Sequence, residues 1–317
     1  MVEIDIHDDD AGQRVDRYLR KLLRAAPLAL IHRLLRQGSV RCEGRRLGPA
    51  DRLEPGARLL LDLDHARLAE LRGAGATPRT RAARGLRVPV VFEDDVLLAV
   101  DKPGGMAVQP GTGHEHDDLT AWLAGHLQVR AHSTFQPAPA HRIDLGTSGL
   151  VLIGKTAAAA RTLAQAFREH RVRKTYLAVV EGQPQPAQGT LDMALRVQDR
   201  GVARERTTPD DEGLRAVTRY RTLRSADGVS LLEVEIDTGR THQIRAHLAA
   251  IGHPLLNDRR YGARADRRLP HARIALHATR LVLDHPGSGE PLTLAAPLPA
   301  ELRALCAPPR RGRDDSA

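Results

Sequence analysis

Cysteine is nearly absent from this chain of 317 residues: Cys42 and Cys306 stand alone, without a C-x-x-C pair or a histidine at ligand spacing. A disulfide framework and a cysteine-ligated zinc site are both excluded, and the expected compartment is a reducing one. Histidine is plentiful, yet no H-E-x-x-H occurs, so no metal is expected. Apolar runs are all too short to span a bilayer. The acidic start MVEIDIHDDD has none of the regions of an export signal, which predicts a soluble, cytoplasmic protein. Aromatic residues make up only 3% of the chain, too few for stacking to dominate a nucleic-acid interface. Lysine is scarce as well. Of 48 Lys+Arg residues only Lys21, Lys102, Lys155 and Lys174 are lysines, and three of these lie in motifs discussed below, a weak sign that those sites resist exchange for arginine.

What the chain does have is positive charge. Against 39 Asp+Glu the balance is +9, with a pI near 10.3, which points to a polyanionic partner. The excess is concentrated at the front, where residues 11–61 hold twelve basic and four acidic residues. Two helices are predicted there, with Val15, Leu19, Leu22 and Leu23 at helical spacing in the first and Leu30, Ile31, Leu34 and Leu35 in the second, closed by Gly38. Short strands with turns at Glu43-Gly44 and Pro55-Gly56 follow. Such density of charge commonly means a solvated face, but two basic helices on a small sheet also suit a phosphate backbone. Arg33, Arg36, Arg41, Arg45 and Arg46 are the candidate contacts. Residues 65–87 contain six arginines and a single acid among alanine and glycine, and predict a mobile basic linker. The tail, 308–317, is predicted to be disordered.

From residue 88 a larger domain begins, reaching to 307. VPVVFEDDVLLAVDKPGG predicts a hairpin, LVLIGK, RKTYLAVVEG, SLLEVEIDT and ALHATRLVLDHP predict strands, and TAAAARTLAQAFREH and THQIRAHLAAIG predict helices. Strands and helices do not alternate as in a doubly wound sheet, so the expected class is α+β, with a mixed, largely antiparallel sheet.

The stretch HRIDLGTSGLVLIGKT admits two readings. Gly149, Gly154, Lys155 and Thr156 match the phosphate-binding pattern G-x-x-x-x-G-K-T, and LVLD ending at Asp284 imitates its magnesium-binding partner. A phosphate loop, however, needs a strand before it and exposed amides within it, whereas the spacer Leu150-Val151-Leu152-Ile153 is itself a buried strand. A serine-hydrolase elbow fails because Leu150 stands where a glycine is required. The other reading is a polar turn that presents Asp144 beside Arg142 at the strand entrance.

HRID-x-x-TSG, RKTY, GRTHQIRAH, GHPLLNDRRYG and ALHATRLVLDHPGSGEPL occur in this order. Together they resemble the RluA-type pseudouridine synthases of ribosomal RNA over residues 88–307. The front 64 residues resemble an S4-type RNA-binding domain, so the whole is most similar to the RluC branch. Ile143 replaces the usual leucine, and Leu145-Gly146 replaces a charged pair, while Asp144, Thr147, Ser148 and Gly149 are in place.

The resemblance implies conversion of uridine to pseudouridine in large-subunit ribosomal RNA by a monomeric enzyme needing neither cofactor nor metal. Asp144 would be the nucleophile or the base on the sugar. Burial raises a carboxylate pKa and a guanidinium reverses that shift; Arg245, at the edge of the stripe Ile244, Leu248 and Ile251, is the candidate partner, with Arg240 as the alternative or as a phosphate contact. Tyr176 would stack on the extruded uracil, although a strand tyrosine is as often core packing. Arg142 would fill the vacated stack, Lys174 would contact RNA, and His141 would orient the turn or simply be structural. The rival from another class is an RNA-binding protein of the same architecture without catalysis.

Overall fold

Short-range apolar patterning and two sheets account for the architecture. The computed structural model describes residues 1–73, 87–111, 118–127, 133–198 and 206–306. In the N-terminal unit, β1 (Val2–Asp5), β2 (Val40–Cys42), β3 (Arg45–Arg46) and β4 (Arg58–Leu61) form an antiparallel sheet in the order β1-β4-β2-β3. Helices α1 (Val15–Leu22) and α2 (Leu28–Arg36) bury Val15, Tyr18, Leu19, Leu22, Ile31, Leu34 and Leu35 against it. Gly38, at φ 72°, follows α2 in the left-handed conformation expected of a closing glycine. Residues 65–72, expected to begin the linker, instead form α3 (His65–Arg72), capped by Asp64 and anchored in the same core by Leu68 and Leu71. Two apolar residues three apart are enough to dock a helix that its Ala/Arg composition disguises. Most of the expected linker, and the tail, lie outside the described residues.

The larger unit is built on one ten-stranded sheet. Its strands are β5 (Val90–Glu93), β6 (Leu97–Lys102), β7 (Ala138–Pro139), β8 (Ser148–Gly154), β9 (Arg173–Glu181), β10 (Gln188–Asp192), β13 (Val217–Ala226), β14 (Val229–Ile236), β15 (Leu276–Asp284) and β16 (Pro291–Ala295). A separate ribbon pairs β11 (Leu195–Gln198) with β12 (Arg206–Pro209). The main path runs β10-β13-β14-β9-β15-β8-β6-β5, with β16 on β15 and β7 on β8. Only β15 and β8 pair in parallel; the other described ladders are antiparallel, so the class is the mixed α+β one expected. Helix α4 (Leu119–His126) packs on one face with Trp122, and α5 (Ala157–Arg168) packs on the other with Leu163 and Ala166. Helix α6 (Gln243–Ala250) lays Ile244 and Leu248 on the α4 face, and α7 (Ala300–Leu305) closes a smaller cluster.

The two units touch through the acidic turn after β1. Asp9 Oδ1 accepts from the amide of Ala157 at the start of α5 at 2.6 Å, and Asp10 Oδ1 accepts from the amide of Thr134 at 3.0 Å. These bonds give two carboxylates of MVEIDIHDDD a structural use, Asp9 at a helix N-terminus and Asp10 at Thr134.

The GKT pattern is explained by packing. All seven residues of β8 are buried. A Cβ on Gly149, at φ 117°, would meet the carbonyl oxygen of Ala278 at 2.3 Å across the parallel pair, and one on Gly154 would meet the amide of Ala160 at 2.5 Å. Thr156 caps α5 by accepting from Ala159, and Lys155 Nζ donates to Glu93 at 2.8 Å and to the Asp94 carbonyl. Both glycines serve close backbone approach, and the lysine pins the β5–β6 turn. None of these residues is arranged to hold a phosphate.

Candidate active site

The turn that carries Asp144 is set by its neighbours. Thr147 donates its amide to the Asp144 carbonyl at 3.1 Å, and Gly146 lies so close to the Ala272 carbonyl that a Cβ would come within 2.5 Å. Beneath the turn, Arg273 Nη1 donates to the carbonyls of Gly146, Ile274 and Leu276 at 2.9, 2.7 and 3.1 Å, while Nη2 donates to Ser148 Oγ at 2.8 Å. Lys102, fully buried, donates to the carbonyls of Pro103 and Met106 at 2.9 and 2.7 Å. Burial, reinforced by Arg273 and opposed by Asp144, pushes its ammonium down to about 7.

Ser148 and His277 imitate a nucleophile and its base, at 2.8 Å. Their surroundings refute that role. Ser148 is buried, and since its oxygen accepts from Arg273 its own proton goes to His277 Nδ1; His277 Nε2 then donates to the Ala296 carbonyl at 3.2 Å. Burial holds the imidazole down to about 4, and the pair is a brace between β8 and β15.

An open cleft lies beside this brace, lined by Arg142, Asp144, Thr147, Tyr176, Arg240, His242 and Arg245 among others. Arg245 Nη1 donates to Asp144 Oδ2 at 3.1 Å. The other edge of the guanidinium is clamped by Asp258, with Nε to Oδ2 at 2.7 Å and Nη2 to Oδ1 at 2.9 Å. Tyr261 covers the guanidinium face, 4.9 Å from centroid to Cζ. Burial pulls the Arg245 pKa down; the bonds to Asp258 and its field, then the field of Asp144, outweigh it and raise the pKa. Tyr176 is 8% exposed on β9, and burial, with Asp144 second, pushes its phenol up, so the hydroxyl stays protonated. Thr147 Oγ1 is buried without a hydrogen-bond partner among the described residues.

Of the residues picked from sequence, Asp144, Tyr176, Arg245, Arg142 and Arg240 converge on this cleft. Arg245, not Arg240, is the partner of Asp144; Arg240 Nε donates instead to the Arg215 carbonyl at 3.2 Å. His141 Nε2 accepts from the Leu152 amide at 3.1 Å and its ring stacks on Phe167, so it braces the turn from outside the cleft. Arg33, Arg36, Arg41, Arg45 and Arg46 are all exposed on the N-terminal unit, away from the cleft. Lys174 is a correction. It is 7% exposed within β9, between Ile236 and Leu281, and burial lowers its pKa, so it offers no open phosphate contact. Asp258, Tyr261 and Arg273 are not singled out by sequence reasoning; the first two stand within a recognised motif, GHPLLNDRRYG, and the third carries no local signal.

Residues 96–250 match the family model described as RNA pseudouridylate synthase. The chain is also 34% identical over 306 residues to Ribosomal large subunit pseudouridine synthase C of Escherichia coli, covering 95% of this chain and 94% of that protein. The chain is an RluA-type RNA pseudouridine synthase. To the enzyme of the same name from Pasteurella multocida the synthase is 32% identical, covering 95% of this chain and 92% of that one. In structure the synthase is similar to Human RNA Pseudouridylate Synthase Domain Containing 1, with a TM-score of 0.56, 26% identity and coverage of 67% of this chain and 83% of that one. The synthase is therefore an isomerase acting on RNA, with the fold of its family. Among the described residues no helix is long and apolar enough to cross a membrane.

Proposed function

We propose that the synthase isomerises specific uridines of large-subunit ribosomal RNA, or of its assembly precursor, with Asp144 as the nucleophile or base on the sugar. The reaction breaks the bond from ribose C1′ to N1, turns the uracil and rejoins it through C5, with no net change in atoms or oxidation state. The observation that carries this reading is the chain Asp258–Arg245–Asp144 at the cleft: it pairs one carboxylate with a clamped guanidinium and orients it beside Tyr176. Tyr176 stacks on the uracil, and its protonated hydroxyl lies near C5. Extruding the base from folded RNA costs a few kcal/mol, and Arg142, exposed at the mouth of the cleft, fills the space left behind.

The relatives named for the ribosomal large subunit support the choice of substrate. The basic N-terminal unit, read as S4-like and extended through α3 to residue 72, supplies phosphate contacts through Arg33, Arg36, Arg41, Arg45 and Arg46. The domain order is then an RNA-binding unit, a basic connection and a catalytic unit from residue 88 to about 307, working as a cytoplasmic monomer without cofactor. Mapping pseudouridines in large-subunit RNA from cells with and without the gene tests this reading. Loss of one or a few defined sites is expected; an unchanged map, with changes in transfer RNA instead, overturns the substrate.

A further inference from the structure

His242, within GRTHQIRAH, lines the cleft and has no part in the reading above. Its backbone is left-handed, at φ 54° and ψ 22°, a conformation that residues with a Cβ rarely adopt. It stands at the N-terminal boundary of α6 yet makes no side-chain cap there, so local helix chemistry does not explain it. The strained turn instead aims the ring at Asp144, with Nε2 4.0 Å from Oδ2, the same oxygen that accepts from Arg245. Observed strain at a site is a reason to look for function.

The other side of the ring decides where its proton sits. The Thr207 amide donates to the Tyr261 hydroxyl oxygen at 2.9 Å, and that hydroxyl meets His242 Nδ1 at 3.1 Å, edge-on to the imidazole. The hydroxyl is able to donate to Nδ1, an arrangement that leaves the ring proton on Nε2. The opposite tautomer would turn the Nε2 lone pair toward a carboxylate oxygen. Burial pushes the imidazole down to about 4; Asp144 and Asp258 oppose this, while Arg245 and Arg260 reinforce it, so the ring is uncharged at neutral pH.

Resting on the assignment of Asp144 as the reacting carboxylate, we infer that His242 is a positioning residue: a neutral, fixed-tautomer donor whose Nε2–H closes on Asp144 Oδ2 when RNA is bound. With Arg245 Nη1 it then holds Oδ2 from two directions, and Oδ1 is presented to the sugar. The separation of 4.0 Å is too long for a hydrogen bond and too short to admit a water, and catalytic bonds of this kind tighten in the substrate complex. His242 gives up no proton in this role. The line Thr207–Tyr261–His242–Asp144 draws on β12, the 3₁₀ turn Arg259–Tyr261 and α6, so assembly of the site depends on the ribbon β11–β12 that lies off the main sheet.

The test uses the full-length protein and a large-subunit RNA transcript tritiated at C5 of uridine, read as tritium release in single turnover. His242→Phe is expected to slow the chemical step on the order of 10- to 100-fold, the cost of a reacting group misplaced by a fraction of an ångström to an ångström, with RNA affinity unchanged. His242→Gln, whose amide nitrogen can occupy the place of Nε2, is expected to recover most of the rate. A Phe variant at the wild-type rate, or Gln and Phe variants equally slow, overturns the inference. Side-chain nitrogen NMR of the wild type is independent of any variant's folding: a neutral ring protonated on Nε2 is expected, and protonation on Nδ1 or a charged ring at neutral pH overturns it. Asp144→Asn run alongside separates the two levels. An active Asp144→Asn removes the assignment on which the inference rests, whereas an inactive one beside an unimpaired Phe variant removes the role of His242 alone.

Discussion

Asp258→Ala isolates the part of the site that no single motif announces. Asp258 is 1% exposed and Arg245 8% exposed, and the two share bonds of 2.7 and 2.9 Å. Truncation removes both bonds and leaves the buried guanidinium with Asp144 as its remaining carboxylate partner. Removing one partner of a buried pair costs about 3–5 kcal/mol, and in a unit of this size each kcal/mol lowers Tm by about 2–4 °C, so a fall of at least about 6 °C is expected. Asp258→Asn keeps an acceptor in place and should lose about 1.5–3 kcal/mol. Asp144 is no longer held through Arg245, so the single-turnover rate should fall about 100-fold. The assay is urea denaturation with a double-mutant cycle against Arg245→Met, alongside tritium release. In the Met background the effect of Asp258→Ala should shrink to a fraction of its value, because the charge that needed a partner has gone. Additive losses, or a cost for Asp258→Ala below about 1 kcal/mol, would refute the idea that Asp258 exists to hold Arg245.

Other consequences can be measured as directly. Lys155→Ala should cost about 1 kcal/mol, since its pair with Glu93 is part exposed, and should not alter nucleotide binding; saturable, magnesium-dependent ATP binding abolished by this change would revive the phosphate-loop reading. Gly149→Ala should cost about 3 kcal/mol or more because its Cβ would press on the Ala278 carbonyl, and a soluble variant with wild-type Tm would contradict that packing argument. Among the histidines whose folded pKa burial lowers from 6.5, His141 falls to about 3 and His242 and His277 to about 4. Below pH 6.5 the unfolded chain takes up protons that the folded one refuses, so each should remove about 1.4 kcal/mol of stability per pH unit down to its folded pKa; stability that stays flat from pH 6.5 to 4.5 would contradict this. Deleting residues 1–87 should weaken RNA binding and flatten the salt dependence by about 0.7–0.9 in log–log slope for every phosphate that the truncated protein no longer neutralises, whereas an unchanged slope would place RNA affinity in the catalytic unit.

The fold is legible in the sequence where one periodicity dominates. β8 is apolar after Ser148 and buried throughout, and Tyr176 and Asp144 stand out because their strand and turn are continuous in sequence. β13, VTRYRTLRSA, gives no such signal because much of its surface is exposed and charged; its Arg219 and Arg221 are neutralised across the ladder by Asp237 and Glu233 at 2.5 and 2.8 Å. β1 is hidden by its acids and α3 by its alanines and arginines. The limits at the site have the same origin. Arg245 can be proposed from the edge of a helical stripe, but Asp258 is thirteen residues away, Tyr261 sixteen and Thr207 on another ribbon, so the clamp around Arg245 and the proton on His242 exist only once the chain has folded. Lys174 misleads for the complementary reason: a cation inside a motif reads as a ligand contact, whereas its place in the sheet gives it to the interior.

The most direct test is pseudouridine formation by purified Asp144→Asn on the large-subunit transcript, with RNA affinity measured in parallel. The substitution keeps the size and shape of the side chain and removes the negative charge that faces Arg245 at 3.1 Å. The account predicts no tritium release at any enzyme concentration, with RNA affinity close to that of the wild type. Appreciable turnover by the Asn variant would contradict it, because the carboxylate could then be neither the nucleophile nor the base.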